Sequence, residues 1–183
     1  MMDDIIDLEL EKIELIINKI AADPEDEDIR RVELELWKKI RTMARKGRRT
    51  GLGITAEGDM LAALGLRYGT PEATAFAVKV QKTLALEAYR ASVKMAAERG
   101  AFEIFDARKE EKNPMIGRIR EADPELYAEM VKHGRRNIAM LTIAPTGTTS
   151  LMSQTTSGIE PVFRPVYKLS LIHISEPTRH AQI

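Results

Sequence analysis

The absence of cysteine is the most restrictive feature of this sequence. It excludes disulfides, thiolate metal sites and thiol nucleophiles from these residues. No apolar run approaches the ~18 residues that a membrane span needs, so the sequence predicts no membrane partner. Acidic and basic residues are equal in number, 28 each, which gives no whole-chain charge to attract nucleic acid. The acidic start, from Met1 to Asp4, lacks the basic region of a secretory signal, and we expect a cytoplasmic location.

The remaining composition is that of a folded protein. The 183 residues are 44% hydrophobic and 31% charged, which is the balance of one globular domain rather than of a disordered chain. We see no internal repeat and no low-complexity segment. The sequence therefore predicts a chain that buries an apolar core.

Helix starts are marked by pairs in which a capping side chain precedes a proline at the first helical position. Four such pairs occur: Asp23-Pro24, Thr70-Pro71, Asn113-Pro114 and Asp123-Pro124. Together with apolar periodicity and glycine stop signals, they predict helices over residues 3–21, 24–46, 56–64, 71–99, 114–121 and 124–133.

The first two helices each carry an apolar stripe. The stripe of the first helix consists of Ile6, Leu10, Ile13, Ile17 and Ile20. The stripe of the second consists of Ile29, Val32, Leu36, Ile40 and Met43. We expect these helices to pack as an antiparallel pair through the two stripes.

One segment, residues 138–144, is apolar on both of its alternating faces and predicts a strand that is covered on both faces. Weaker strand candidates are residues 102–105 and 162–167. A buried strand with so few neighbours leaves ladder groups unpaired, which indicates that its partners lie outside this sequence.

A turn rich in hydroxyl groups follows this strand, and it consists of Pro145, Thr146, Gly147, Thr148, Thr149 and Ser150. A helix that starts here leaves several backbone N–H groups unpaired, which suits a phosphate. Ser and Thr are also ordinary caps that satisfy the chain's own N–H groups, so the pattern alone leaves both interpretations open.

Four blocks of sequence resemble the large subunit of ribonucleotide reductase, in particular its adenosylcobalamin-dependent (class II) branch. The longest block, residues 142–163, is similar to the loop that holds the substrate's phosphates in that family. The others are residues 47–61, 66–69 and 134–137, and all four occur in the family's order. The similarity covers residues 3–168.

The resemblance implies an α/β fold, namely a mainly helical piece of the family's ten-stranded α/β barrel. It assigns residues 145–150 to the phosphates of a ribonucleotide and implies an adenosylcobalamin cofactor in the parent enzyme. It also implies possible nucleotide effectors and a homo-oligomeric full-length enzyme. The family's radical and reducing cysteines are missing here, so we expect a fragment with no catalytic residue, no metal ligand and no activity alone.

The last residues do not follow the family's pattern. Residues 169–183 resemble the translation of a sequencing-library adapter, and we expect them to be a non-native tail on a partial barrel domain of residues 1–168.

Other patterns favour structural roles. The Gly-x-Gly-x-x-Ala run at 51–56 lacks the preceding strand of a dinucleotide site and predicts a tight turn instead. The basic cluster of Arg41, Arg45, Lys46, Arg48 and Arg49 is typical of a helix C-terminus. Glu129 and His133 lie one helical turn apart without a third metal ligand.

Two functional alternatives stay open at this stage. One is the iron-radical (class I) large subunit, which catalyses the same reaction with another radical source. The other is a non-enzymatic helical module that binds nucleotides or a protein through the same turn.

Overall fold

The structure is a computed structural model, and it describes residues 1–162. These residues form eight α-helices joined by turns. The helices are α1 (Met2–Ala21), α2 (Glu27–Gly47), α3 (Glu57–Ala63), α4 (Pro71–Arg99), α5 (Ala107–Glu110), α6 (Pro114–Ala122), α7 (Pro124–His133) and α8 (Gly147–Ser153). No helix within residues 1–162 is both long enough and apolar enough to cross a membrane.

Three of the four proline-marked helix starts are confirmed. The side chains of Asn113 and Asp123 accept backbone hydrogen bonds from the first turns of α6 and α7, and α4 begins at Pro71. The fourth prediction is wrong, because α2 begins at Glu27 and its cap is Asp26. The Asp26 side chain accepts the Asp28 N–H at 2.9 Å. The short helix α5 was not predicted.

The chain divides into two compact units, which we describe separately. The first unit comprises residues Met1–Leu52 and Lys82–Leu141. Its core combines the second half of α4 with α6, α7 and the segment that follows α7. The buried residues of this core are Tyr89, Val93, Ile116, Ile119, Leu126, Met130 and Met140.

Helices α1 and α2 of the first unit pack as an antiparallel pair, as predicted. Moving toward the end of α2, the contacts move toward the start of α1: Arg41 donates to Glu14 at 2.7 Å, and Arg48, just after α2, donates to Asp7 at 2.8 Å. The predicted α1 stripe is buried except for the half-buried Leu10.

The predicted contact face of α2 is wrong. Ile29, Val32, Leu36 and Met43 are exposed, and Ile40 is half-buried. The half-buried side of α2 instead carries Arg30, Leu34, Trp37, Arg41 and Ala44, which recur at helical spacing. Two apolar stripes compete on this helix, and the one that contains the tryptophan faces α1.

The predicted buried strand at residues 138–144 is not confirmed. The carbonyls of Ala139 and Met140 accept the N–H groups of Thr50 and Leu52 at 2.9 and 2.7 Å. A single parallel bridge joins Leu52 to Leu141, and no longer ladder forms among residues 1–162. Ile143 is 65% exposed, which contradicts a segment covered on both faces.

The barrel that the resemblance implies is likewise not present as a sheet in the part of the chain that the structure describes. Residues 102–105, a weaker strand candidate, form a turn. Only the first residue of the other candidate, 162–167, lies among the described residues. The predicted tail at 169–183 and the boundary at 168 lie outside them.

Among the described residues, the second unit comprises Gly53–Gln81 together with residues 142–162. It contains α3, the first part of α4, and α8. Its buried apolar residues are Leu61 and Ala73. The hydroxyl-rich turn at residues 145–150 lies in this unit.

Candidate phosphate-binding turn

The hydroxyl-rich turn enters α8 through a strained residue. Thr146 is the N-cap of α8, and its backbone has φ 42° and ψ 29°, in the left-handed region. A β-branched residue rarely adopts this conformation, and such strain clusters at functional sites. The turn therefore differs from an ordinary cap, whose backbone is extended.

Hydrogen bonds from the following loop hold Thr146 in place. Its Oγ1 accepts the Gly158 N–H at 2.8 Å, and the Gly158 carbonyl accepts the Glu57 N–H at the start of α3 at 3.2 Å. The Asp59 carboxylate accepts the Thr156 N–H at 2.8 Å. The N-terminus of α3 therefore anchors the loop that braces the turn.

Two glycines of this unit are required by close backbone approach. A Cβ at Gly58 would lie 2.8 Å from the Glu160 carbonyl oxygen, and one at Gly53 would overlap the Thr142 carbonyl oxygen. This explains Gly53 in the Gly-x-Gly-x-x-Ala run by the close approach of the Thr142 backbone, whereas the sequence predicted a tight turn there. The sequence analysis did not identify Asp59 or Gly158 as supports, because their partners are distant in the chain.

Three donors remain available in the first turn of α8. Among the described residues, the N–H groups of Gly147, Thr148 and Thr149 have no hydrogen-bond acceptor, as is usual for first-turn amides. All three residues are exposed. A Cβ built on Gly147 would meet nothing within 4 Å, so open space adjoins its backbone.

The structure divides the predicted site residues into two groups. Ser150 is buried and already engaged: its N–H donates to the Thr146 carbonyl at 2.9 Å, and its hydroxyl donates to the Gly147 carbonyl at 2.7 Å. The hydroxyls of Thr148 and Thr149 have no such bond within the described residues. Ser150 therefore shapes the turn, while Gly147 to Thr149 face outward.

No titratable side chain occurs in residues 145–150, so the turn has no acid or base of its own, and its hydroxyls have no base within the turn to activate them as nucleophiles. Its only means of attracting an anion are amide dipoles and hydroxyls. The arrangement is suited to holding a phosphate and not to bond making or breaking.

The motif residues Arg48 and Asn137 belong to a buried polar network of the first unit. Asp3 accepts Arg48 Nε at 2.8 Å, Asn137 Nδ2 at 3.0 Å and Arg136 Nε at 3.1 Å. Asn137 also donates to the Arg48 carbonyl and accepts the Ser92 hydroxyl, both at 3.0 Å. The network links α1, α2, α4 and the segment after α7.

This network changes the electrostatics of Asp3. Burial by itself raises the pKa of a carboxyl, but hydrogen bonds and charge from Arg48 and Arg136 outweigh it, so the pKa of Asp3 lies below its ordinary value. Asp3, Asp4 and Asp7 are close enough to share a cation. The oxygens of Asp3 are already bonded to guanidinium and amide donors, however, so we interpret the cluster as part of an ion-pair network and not as a cation site.

Arg135, in the same block of residues 134–137 as Asn137, also has a structural role. Its guanidinium donates two hydrogen bonds to the Glu110 carboxylate, one from Nη1 and one from Nη2, and the bond from Nη2 is 2.6 Å long. The rings of Tyr89, Phe102 and Phe105 lie 5.3 to 5.8 Å from it. Arg41 and Arg48 of the basic cluster form ion pairs with α1, and Arg48 is buried there, whereas the sequence predicted solvated charges at a helix end. Glu129 and His133 contact each other at 3.3 Å within α7.

Comparison with known proteins identifies the family to which this chain is similar. A family model described as the ribonucleotide reductase barrel domain matches residues 28–178, which includes ten residues of the predicted tail. The vitamin B12-dependent ribonucleoside-diphosphate reductase of Mycobacterium tuberculosis is 35% identical over 130 residues, 70% of this chain and 16% of that protein.

Two further relatives have similar sequence identities. The vitamin B12-dependent ribonucleoside-diphosphate reductase of Thermoplasma acidophilum is 34% identical over 136 residues, 74% of this chain and 15% of that protein. The ribonucleoside-diphosphate reductase subunit alpha of Treponema pallidum is 31% identical over 126 residues, 64% of this chain and 14% of that protein. The chain thus spans a small part of these relatives' length.

Proposed function

Because the chain belongs to the ribonucleotide reductase barrel-domain family, we propose that it is part of a large subunit that converts ribonucleotides to 2′-deoxyribonucleotides by radical chemistry. Within that enzyme, residues 145–150 hold the phosphates of the ribonucleotide substrate. The observation that carries this assignment is the set of three outward-facing amides at Gly147, Thr148 and Thr149.

The physical chemistry of the turn supports the proposal. Each amide that donates to a charged phosphate oxygen contributes about 1.5–3 kcal/mol of net interaction, and the helix dipole adds about 0.3–1 kcal/mol. Pro145 has no N–H and restricts the backbone that leads into the turn. Gly147 leaves space for the phosphate against the backbone. The turn positions the substrate and takes no part in the radical steps.

Each of the remaining residues has a separate role. Thr148 and Thr149 offer hydroxyl donors beside their amides. Thr146 and Ser150 keep the amides in place through Gly158 and Gly147. This division predicts that the two outer threonines determine phosphate affinity, whereas Thr146 and Ser150 determine the shape of the turn.

The cofactor proposed for the parent enzyme is adenosylcobalamin, and two relatives that are named vitamin B12-dependent support this proposal. When bound, this cofactor supplies the radical that starts the reaction. The described residues do not fit the cobalamin itself. A cleft of about 490 Å³ in the first unit is lined by arginines and carboxylates, including Arg41, Glu14 and Glu103, instead of the apolar surface on which a large ring packs. We assign no cobalamin contact to residues 1–162.

An iron-radical large subunit is the second candidate, because the Treponema pallidum relative is named subunit alpha without reference to vitamin B12. The phosphate turn has the same role in both candidates. Adding adenosylcobalamin to the whole enzyme distinguishes them: activity that depends on it supports the first, and activity that depends on a separate radical subunit supports the second.

Replacement of the outer hydroxyls tests the assignment. In the whole enzyme, the double variant Thr148→Val and Thr149→Val keeps the branched shape but removes two donors, and we expect the nucleotide's dissociation constant to rise at least tenfold. The control is Thr74→Val, which removes an exposed hydroxyl from α4. Unchanged affinity in the double variant contradicts the proposal. The isolated 183-residue chain should form no deoxynucleotide, because it has no thiol.

A further inference from the structure

The second unit concentrates its backbone strain at the ends of α3 and α8. Among the described residues, three of the four non-glycine residues with a positive φ lie there. Ala56 and Thr146 are the N-caps of α3 and α8, at φ 67° and 42°, and Gln154 is the C-cap of α8, at φ 56°. Strain of this kind persists only where the surrounding contacts hold it, and it clusters at functional sites. The contacts that hold Thr146 therefore identify residues on which the phosphate turn depends.

The first turn of α3 contacts the loop after α8 through three successive residues. The Glu57 N–H donates to the Gly158 carbonyl at 3.2 Å, and the Asp59 carboxylate accepts the Thr156 N–H at 2.8 Å. Between these two, Gly58 lies so close to the loop that an added Cβ would be 2.8 Å from a loop carbonyl oxygen. Asp59 is the residue of the three that acts through its side chain, so it is the one that substitution can test cleanly.

The Asp59 carboxylate does not serve its own helix. Asp59 is the third residue of α3, a position from which an acidic side chain can reach back to the N–H of the N-cap residue. Within residues 1–162 its hydrogen bond goes instead to Thr156, 97 residues further along the chain. The N-cap, Ala56, supplies no side-chain cap either. The carboxylate therefore fixes the loop and not the end of α3.

The loop is held in a position that its own side chain does not favour. The Thr156 hydroxyl oxygen is buried and has no hydrogen-bond partner within residues 1–162. A buried polar group without a partner lowers stability, so the hydroxyl does not explain why the loop lies there. The hydrogen bond from the Thr156 backbone to Asp59 does.

Two residues beyond Thr156, the same loop reaches the phosphate turn. The Gly158 N–H donates to Thr146 Oγ1 at 2.8 Å. Thr146 sets the direction in which α8 begins, and its carbonyl accepts the Ser150 N–H at 2.9 Å. The exposed amides of residues 147–149 follow directly. A displaced loop therefore releases the left-handed Thr146 and changes the orientation of these amides.

We propose that Asp59 is a positioning residue for substrate binding. Through the loop of residues 156–158 it holds Thr146 in the left-handed conformation, and this conformation directs the amides of residues 147–149 toward the substrate's phosphates. The role rests on the phosphate-binding function proposed above for the turn. Asp59 makes no contact with the phosphates itself, because a carboxylate repels them.

Two substitutions at Asp59 test this role in the whole enzyme. Asp59→Ala removes the acceptor of the Thr156 N–H. If the turn then adopts its binding conformation about a tenth of the time, the nucleotide's apparent dissociation constant rises about tenfold. Asp59→Asn keeps an acceptor oxygen at the same distance from the backbone, and we expect a constant within about threefold of the original. The control is Glu72→Gln, which neutralises an exposed carboxylate in the first turn of α4 and should leave the constant unchanged.

Unchanged affinity in Asp59→Ala would overturn the proposal. Equal losses in Asp59→Ala and Asp59→Asn would overturn it as well, because they would show that the charge matters and the accepted hydrogen bond does not.

Loss of folded enzyme is distinguished from a misplaced turn by titration calorimetry, which measures both the number of binding sites and their affinity. Partial unfolding lowers the number of sites and leaves the dissociation constant of the remaining enzyme unchanged. A misplaced turn raises the dissociation constant while the number of sites stays the same. Fewer sites of unchanged affinity in Asp59→Ala would assign Asp59 a purely structural role and would contradict the proposal.

A double-mutant cycle tests the route from Asp59 to the turn. Thr146→Val keeps the branched shape and removes the hydroxyl that accepts the Gly158 N–H. Because both substitutions break the same connection, the enzyme that carries Asp59→Ala and Thr146→Val should have a dissociation constant within about twofold of the weaker single variant. Losses that multiply in the double variant would refute this route.

The Thr148→Val and Thr149→Val double variant separates this role from the function on which it rests. If that variant weakens nucleotide binding and Asp59→Ala does not, the phosphate turn stands and the role of Asp59 is refuted. If neither weakens binding, the phosphate assignment itself fails. If only Asp59→Ala weakens binding, Asp59 acts without the turn, and the proposal is overturned.

Discussion

The buried amide of Asn137 gives the sharpest stability prediction. Its side chain is almost completely buried and makes three hydrogen bonds, to Asp3, to the Arg48 carbonyl and to the Ser92 hydroxyl. Asn137→Ala removes all three hydrogen bonds and leaves their buried partner atoms with no water molecule to replace the amide. Each unsatisfied buried group costs about 1–3 kcal/mol. Because neighbouring losses are not additive, we expect the free energy of unfolding to fall by about 3–5 kcal/mol in total.

Urea denaturation of the chain measures this loss. With a slope near 1.5 kcal/mol per molar urea, the midpoint should fall by about 2–3 M. The control, Thr42→Ala, removes an exposed hydroxyl that bonds only to the Lys38 carbonyl, and it should change the free energy by less than about 0.5 kcal/mol. A loss of less than 1 kcal/mol for Asn137→Ala would refute the view that the network holds the first unit together.

Three further predictions concern the same unit. Gly117→Ala should stabilise the chain by about 0.5–1 kcal/mol in a thermal melt, because an added Cβ meets nothing within 4 Å inside α6; a lower melting temperature would contradict this. Asp123→Ala should cost about 1 kcal/mol by losing the cap on Leu126, and Asp123→Asn should restore most of it. The pKa of Asp3 is lower in the folded than in the unfolded chain. The ionised Asp3 therefore stabilises the fold fully at a pH above its pKa in the unfolded chain, near 3.9. This stabilisation is lost as the pH falls through the pKa of Asp3 in the folded chain. Urea midpoints between pH 5 and 2 should therefore fall less steeply for Asp3→Asn than for the original chain, and equal slopes would contradict it.

Local signals predicted the helices well, and competing local signals explain the errors. Asn113 and Asp123 each have one possible helix to cap. Ahead of α2 two aspartates compete, and Asp23 accepts a bond from Glu25 while Asp26 caps the helix itself. The sequence pattern could not decide between them.

Contacts between distant residues explain the rest. The sequence marks Asp3 as part of an acidic start, but its partner Asn137 lies 134 residues away. Periodicity identified an apolar stripe on α2 without indicating whether the chain covers it. Residues 138–144 have strand composition, yet they find one neighbouring segment at residues 50–52 and form a single bridge.

The sequence located the candidate turn. It did not show which residues of the turn face outward and which ones fix its shape. The pattern could not show that Ser150 bonds back to Gly147, nor that Gly158 fixes Thr146. Both facts depend on backbone geometry, and the left-handed Thr146 is not predictable for a β-branched residue.

The most direct test of the phosphate assignment is the nucleotide affinity of Gly147→Ala in the whole enzyme. The φ of Gly147 is not in the left-handed region and its Cβ would meet no protein atom, so the fold should tolerate the change. The added methyl would occupy the space assigned to the phosphate. We expect the dissociation constant of the nucleotide to rise at least tenfold, while Gly117→Ala leaves it unchanged. A Gly147→Ala enzyme that binds the nucleotide as tightly as the original would contradict the account.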